Sequence, residues 1–458
     1  MKITAIILAG GSSRRMGRNK LNLFVEGEPM LQRVFDTALS AGFHEIILVR
    51  GEGTKSPSMP ANAPDVPYEE ILNLEQEKGI AYSIKLGLSA SDPLADGFIF
   101  LMADQPFLSK ETLEILKERF QACPRHIIQP VYGTRPGGPV FFPASLKEDL
   151  SKLTGDTGGR QVMARHPELV LQEFLPESRE SVDLDDRATY NKHVGRKRVL
   201  VKGAGDLATG VILALYQAGF EVIATEISHP SSIRTEVAFA SALLEGEKTL
   251  EGVRAEKADS LAEVWKLLAE DAVPILIDPV LFHLPELKPD VVVDAVIAKR
   301  NTGTDKTLAP LVIALGPGFT AGIDCHAVIE TMRGNTLGDI ITETGRSALP
   351  DTGTPGLIAG EDVRRVIHAP ASGILRRIRS IGDFVEEGDV IAKVGDTEVV
   401  SPLKGTLRGL IYDGFDVPKG LKIADVDPRL DRALAFTVSD KSHILGESVV
   451  RAISPLIP

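Results

Sequence analysis

Twice in this chain an apolar run of strand length ends in glycine: KITAIILAGG from Lys2, and VLVKGAG from Val199. A strand delivered through a glycine turn into a helix opens an α/β unit, because parallel strands need helical crossovers that then cover both faces of the sheet. Two such openings, far apart in 458 residues, predict at least two α/β units, and a length of this order suggests roughly three domains in all.

After the first opening, strand-length runs recur at EIILVR from Glu45, FIFLMAD from Phe98, HIIQPVY from His126 and GPVFF from Gly138, with helical stretches between them. This predicts a largely parallel sheet with helices on both faces. RKR at 196–198 marks a boundary, after which VIATE, PILIDP, VVVDAVIA and LVIALGPG restart the pattern. A Gly/Pro-rich stretch, ALPDTGTPGLIAG, sets off a tail with an internal repeat. There Pro370, Gly373, Leu375, Gly382, Val385 and Gly388 recur 32 positions later as Pro402, Gly405, Leu407, Gly414, Val417 and Gly420, and Ile391 and Val394 recur as Ile423 and Val426. Two short-stranded, glycine-turned copies imply a small β-sandwich whose halves cover one another.

Charge narrows the partners. The chain carries a net −12 and so is expected to repel nucleic acid and acidic membrane surfaces. Its two cysteines, Cys123 and Cys325, suit a reducing cytoplasm, and the first apolar run is too short for a secretory signal. Against this background LAGGSSRRMGRNK, Leu8 to Lys20, places four basic residues in a glycine loop between a strand and a helix. Free backbone N–H groups and a helix dipole there favour phosphate. The loop is not a Walker A motif, which needs Gly-Lys-Ser/Thr where this chain has Gly17-Arg18-Asn19. Arg15 and Lys20 would neutralise a triphosphate and its departing pyrophosphate.

On Leu8, Ala9, Gly11, Ser13, Arg15, Met16, Gly17 and Lys20, the stretch resembles the nucleotide loop of MobA/MocA-like nucleotidyltransferases, LA(A/G)GxSxRMGxxK. NLEQEKGIAYSIKLGL resembles that family's base and ribose segment, which implies nucleotide contacts from Asn73, Gly79 and Ser83 beside Gly10. LMADQPFL implies that Asp104 holds a catalytic Mg²⁺. GGPVFF resembles an acceptor element read GHPV or GNPV, with Gly137, Gly138 and Pro139 at the acceptor and Gly138 replacing His or Asn. Asp183 in SVDLDD is taken as the second metal carboxylate, with Asp156 in LTGDTGGR as the other candidate. The resemblance implies a cytoplasmic enzyme that moves a nucleoside monophosphate from CTP or GTP to a molybdopterin-type cofactor. Cytidylyl members tend to read LAAG and guanylyl members LAGG, as here. Transfer to a sugar or alcohol phosphate, and a chaperone role in carrying cofactor, are the alternatives.

In the middle segment Gly203, Gly205 and Ala208 fit GxGxx(G/A) after a strand, and Glu226 ends the next strand where a ribose-binding acid would sit. NAD or a simple nucleotide is the expected ligand, and a tight turn without ligand is the competing reading. In GIDCHAVIET, His326 and Glu330 are four apart and would share a helix face as metal ligands, or make ordinary capping contacts. Cys325 is either a reactive thiol or a small core residue. With TEISHPSSIRTEVAF, LGPGFTAGIDCHAVIETMRG and the tail, residues 196–458 resemble YqeB-type accessory proteins of selenium-dependent molybdenum hydroxylase systems. This implies an apo-hydroxylase partner.

The expected fold is therefore α/β: a Rossmann-like nucleotidyltransferase domain over 1–195, a second Rossmann-like domain over 196–362, and a repeat domain over 363–430. The repeat resembles the biotinyl/lipoyl-like barrel-sandwich hammerhead, although GDTEVVSP stands where carriers present a modified lysine. Residues 431–458 are expected to pack back on the second domain.

Overall fold

The first apolar run forms a strand, β1 (Ile3–Ala9), buried along its whole length, as befits a central parallel strand covered on both faces. The computed structural model describes residues 1–11, 19–195, 197–351, 353, 361 and 363–454. The chain divides into two compact units, Met1–Gly195 and Arg196–Pro458. No helix among the described residues is long and apolar enough to cross a membrane.

In the first unit, helix α1 (Met30–Ser40) turns Met30, Leu31, Val34, Phe35 and Ala38 inward, the three-to-four spacing of a helix lying on a sheet. Strand β2 (Glu45–Gly51), β3 (Tyr68–Asn73), helix α2 (Ile80–Ala90), β4 (Gly97–Met102) and helix α3 (Lys110–Ala122) follow. Then come β5 (Ile127–Tyr132), β6 (Val140–Pro143), β7 (Val170–Leu175) and a short helix α4 (Arg187–His193). The strands lie in the order β7-β5-β6-β4-β1-β2-β3. The sheet is mixed, since β6 runs antiparallel to both β4 and β5. The connection from β5 to β6 is too short for a helical crossover, so the chain can only fold back. The order reverses at β1, which pairs in parallel with β2 on one side and β4 on the other. Such a switch point opens a crevice at the carboxyl ends of the strands, where β1 releases the basic loop.

The second unit repeats the plan with β8 (Arg198–Lys202), helix α5 (Asp206–Gln217), β9 (Glu221–Glu226), β10 (Glu247–Leu250), β11 (Val253–Ala258) and helix α6 (Leu261–Ala269). It continues through β12 (Val273–Ile277), β13 (Val291–Asp294), β14 (Leu311–Leu315), β15 (Ala327–Ile329) and β16 (Ile340–Ile341). The sheet order is β10-β11-β12-β9-β8-β13-β14-β15-β16, antiparallel only at its two edges. Here too the glycine loop leaves the strand at the switch point.

The tail forms two antiparallel four-stranded sheets. Its strands are β17 (Val366–His368), β18 (Gly373–Arg377), β19 (Phe384–Val385), β20 (Val390–Val394), β21 (Thr397–Val400), β22 (Gly405–Leu410), β23 (Asp416–Val417) and β24 (Lys422–Asp427). Strands β18, β19 and β20 begin 32 positions before β22, β23 and β24, so the repeat in sequence is a repeat in structure. The halves exchange strands: β19 pairs with β22, and β18 with β23. Repeat positions Leu375, Leu407, Ile391 and Ile423 are fully buried in the shared core.

Helix α7 (Asp440–Ile453) returns to lie against α5. Its approach is set by two glycines. A Cβ on Gly446 would lie 2.2 Å from the Gly210 carbonyl oxygen, and one on Gly210 would lie 2.1 Å from that of Ser442. The helices therefore touch backbone to backbone.

Candidate active site

Asn19 caps a short 3-10 turn, accepting a hydrogen bond from the Leu21 amide and donating to Thr54, so the residue after it is held in place. That residue is Lys20. Its ammonium lies 2.6 Å from Asp104 and 2.6 Å from Asp185. Asp104 follows β4, whose course is extended by the Ala103 amide donating to the Leu8 carbonyl. The Leu184 amide donates to the Asp104 carbonyl, which draws the 183–185 segment alongside. Burial opposes the charge on Lys20, but Asp104 and Asp185 outweigh it and raise its pKa. Partial desolvation and the nearby charges of Asp104 and Asp185 raise the Asp183 carboxyl above its ordinary range. Asp104 Oδ1 is buried and, among the described residues, accepts no hydrogen bond.

This cluster faces a cavity of about 570 Å³, whose walls include Leu8, Ala9, Gly10, Gly11, Gly79 and Ser83 as well as Lys20, Asp104, Asp156 and Asp185. Gly10 lies flat on a buried pair, Asn73 and Ser83, joined by a 3.0 Å hydrogen bond. A Cβ on Gly10 would stand 2.7 Å from the Ser83 hydroxyl and 3.4 Å from the Asn73 amide. Gly79 begins α2 at φ +78°, and a Cβ there would meet Gly155 and Asp156 at 2.5 Å. Its lack of a side chain lets the loop carrying Asp156 reach the cavity wall.

The structure thus gathers Leu8, Ala9, Gly10, Gly11, Lys20, Gly79, Ser83 and Asp104 around one cavity, with Asn73 behind Gly10. Ser13 and Arg15 lie outside the described residues. Gly137, Gly138 and Pro139 are not in the cavity wall; they connect to the carboxylates through Gln105, which lies beside Gly138 and donates to Asp183 at 2.7 Å. Sequence reasoning passed over Asp185 and Gln105. The run of three acids in SVDLDD was the available signal, and its last member, Asp186, is spent capping α4 through the Thr189 amide. Among the described residues no group of three or more His, Cys, Asp or Glu is arranged to hold a metal ion.

In the second unit Gly203 takes φ +101° with its Cα against the Ala295–Val296 peptide, Gly205 caps α5, and Ala208 is buried beneath it. Glu226 turns onto this loop: its carboxylate accepts from the Ala204 amide at 2.9 Å and from its neighbour Ile227 at 2.8 Å. Burial raises its pKa. Two pairs of alternatives are decided here. His326 and Glu330 flank strand β15 and share no helix face. The Val312 amide donates to His326 Nδ1, and Glu330 accepts from the Met332 and Leu349 amides, so backbone hydrogen bonds use both side chains. Cys325 is fully buried, and burial pushes its thiol up to about 12, so it is a core residue and not a reactive thiolate.

Comparison with known proteins bears on the two parts of the chain separately. Residues 5–170 match the MobA-like NTP transferase domain family. The purine catabolism protein PucB of Bacillus subtilis (strain 168) is 30% identical over 201 residues, which are 42% of this chain and 94% of PucB. YqeB of Escherichia coli (strain K12) is 51% identical over 263 residues that include the C-terminal part of the chain. That match takes in 57% of this chain and 48% of YqeB, so the chain spans about half of that relative's length. The solved structure of Rv0371c from Mycobacterium tuberculosis H37Rv is 25% identical, covering 42% of this chain and 98% of that one, at a TM-score of 0.37, too low to weigh by itself. Through its first unit, a nucleotidyltransferase unit, the chain belongs to the MobA-like NTP transferases.

Proposed function

We propose that the first unit transfers CMP from CTP to the phosphate of a molybdopterin-type cofactor, releasing pyrophosphate, in the cytoplasmic maturation of a molybdenum hydroxylase. The observation that carries the reading is the carboxylate pair around Lys20, Asp104 after β4 and Asp185 from the 183–185 segment, with Asp104 Oδ1 buried and accepting no hydrogen bond among the described residues. An oxygen of the acceptor phosphate would bond to the α-phosphorus as the bond to the β-phosphate bridging oxygen breaks, its electrons leaving with pyrophosphate. The protein's work is positioning and charge. The backbone from Leu8 to Gly11 would cradle the phosphates, with Ser13 and Arg15 of the same loop. Asn73, Gly79 and Ser83 would shape the base and ribose wall, and Lys20 would move from the carboxylates to the triphosphate. Gly137, Gly138 and Pro139 would border the acceptor.

Asp104 and Asp183 would hold a hard divalent cation as two carboxylate ligands only, short of a preformed three-carboxylate site, with phosphate oxygens completing its shell: among the described residues Asp104 Oδ1 accepts no hydrogen bond, and Lys20 already places a positive charge against Asp104. Mg²⁺, when bound, supplies neutralisation of the phosphates. Gly10 is the feature that favours GTP over CTP, and Gly138, lacking a His or Asn side chain, leaves a sugar or alcohol phosphate as the second acceptor reading. The test is to incubate the protein with each triphosphate, Mg²⁺ and purified molybdopterin cofactor and measure pyrophosphate. Release that depends on the cofactor and on CTP supports the reading, and release with sugar phosphates alone overturns it.

For the second unit we propose a Rossmann-like domain over 196–362 that takes NAD or a simple nucleotide at Gly203, Gly205, Ala208 and Glu226. The exchanged sheets of 363–430 would form a barrel-sandwich of the hammerhead kind, and 431–458 would complete the second domain. An apo-hydroxylase is the proposed protein partner.

A further inference from the structure

A cavity of about 990 Å³ in the second unit opens between the glycine loop after β8 and the repeat-built tail. Its size is that of a small-molecule site. Two helices begin at its wall: α5, capped by Gly205, and α7, capped by Ser439. Both are long enough to carry a useful dipole, and the glycine contact between Gly210 and Gly446 fixes them side by side.

The wall is basic in a chain that is acidic overall. Four of its cations have close aspartate partners: Lys202 with Asp294, Arg234 with Asp206, Lys299 with Asp351 and Arg365 with Asp425. Of the others, Arg333 precedes β16, and Arg408, Lys422 and Lys441 come from the tail and its flank. Arg408 is mostly buried, and its nearest carboxylates stand off at 3.7 and 4.0 Å, on Asp427 and Asp425. Its Nε–H finds no acceptor among the described residues. Lys422 and Lys441 line the same space, and among the described residues neither has a carboxylate within ion-pairing distance. Burial lowers the pKa of both, helped by the charge of Arg365 at Lys422 and of Arg333 at Lys441, and is opposed only in part by Asp425 and Asp206 at Lys422 and by Asp206 and Glu330 at Lys441. Burial and the charge of Arg234 likewise lower that of Arg408 against the pull of Asp425, Asp427 and Asp206. Cations held together with too little counter-charge are costly, and an anion entering the cavity would relieve them.

We propose that this cavity binds an organic diphosphate, its phosphates gripped jointly by the α5 and α7 N-termini and by Arg408, Lys422 and Lys441. The tail is then one wall of a ligand site. The inference rests in part on the reading of the Gly203–Ala208 loop as a nucleotide site, and it adds that the tail supplies the charge.

The test titrates the full-length protein with NAD, ADP and inorganic pyrophosphate by calorimetry at low and moderate salt. It is repeated on Gly205→Val for the loop and on Lys422→Gln/Lys441→Gln for the tail, with Arg408→Gln as a further variant if it folds. The expected result is binding of at least one probe that weakens at least tenfold in the lysine double variant and declines steeply with salt. Binding lost in Gly205→Val but unchanged in the double variant overturns the tail's role while keeping the loop site. Loss in the double variant alone keeps the tail's part in the site and overturns both the loop reading and the grip of the α5 N-terminus. Absence in folded wild-type protein of any binding that second-unit variants alter overturns both.

Discussion

Asp104→Asn removes one charge and almost no volume. At 2.6 Å and an effective dielectric of 20, the Asp104–Lys20 attraction is about 6 kcal/mol before desolvation. Most of this is offset by the cost of holding two mostly buried charges, and Lys20 retains Asp185 at the same distance. The variant also relieves the repulsion that Asp104 exerts on Asp183. The net loss of stability should therefore be only about 1–2 kcal/mol, or roughly 2–8 °C in Tm for a unit of this size. Catalysis should suffer more: a preorganised charge that acts on the reacting phosphates is worth about 3–4 kcal/mol, a roughly 10²–10³-fold fall in turnover. Pyrophosphate release at saturating triphosphate and Mg²⁺, measured well below the melting temperature, separates the two effects. Turnover within about threefold of wild type, with unaltered dependence on Mg²⁺, would refute the placement of Asp104 at the metal and phosphates.

Gly10→Ala should force the Ser83 hydroxyl aside and break its bond to Asn73, a loss of about 1 kcal/mol. The expected outcome is a roughly fivefold rise in KM for nucleotide, and an unchanged KM for both CTP and GTP would separate Gly10 from base selection. Asp183 has a folded pKa above its ordinary value, so the stability it contributes is complete below the ordinary carboxylate pKa and is lost as pH rises through the folded value. Asp183→Asn should accordingly raise Tm at pH 7 in metal-free buffer, with the gain fading towards pH 4; a gain that persists in acid contradicts the assignment. A thiol reagent should label the partly exposed Cys123 and spare Cys325 until the second unit unfolds. Gly446→Ala should destabilise the second unit by about 2–3 kcal/mol, because its Cβ meets backbone that no rotamer change can move. Denaturant unfolding that shows no loss would mean the helices part freely.

Much of the first site was readable in sequence, because the loop, the GIAYS segment and LMADQP each combine a strand end with residues that have few structural uses. Asp104 stood out as a lone acid after an apolar run. Asp185 did not, because three acids in four residues look alike until one is seen capping a helix and another facing Lys20. Asn73 and Ser83 were legible as site residues, but their bond to each other was not, since a contact between a strand end and the helix after it has no signature in local spacing. The spacing of His326 and Glu330 left a shared helix face open beside ordinary backbone contacts, and the latter hold because β-branched Val328 and Ile329 between them belong to a buried strand. The tail's 32-residue period gave the strand positions but not the exchange of strands between its halves, since a repeat says what recurs and not which copies pair.

Helix α7 touches Gly210 through residues more than two hundred positions further along the chain. During synthesis, the space between α5 and the tail therefore stays open after the nine-stranded sheet has all its strands. The slow step in acquiring that cavity should be closure of this long loop, whose entropy cost must be met before the contact returns anything. A chain that stops before Asp440 would present the α5 glycine face to solvent, a groove shaped to accept a helix. Such a truncated chain is expected to recover its fold when a peptide spanning Asp440–Ile453 is added in trans.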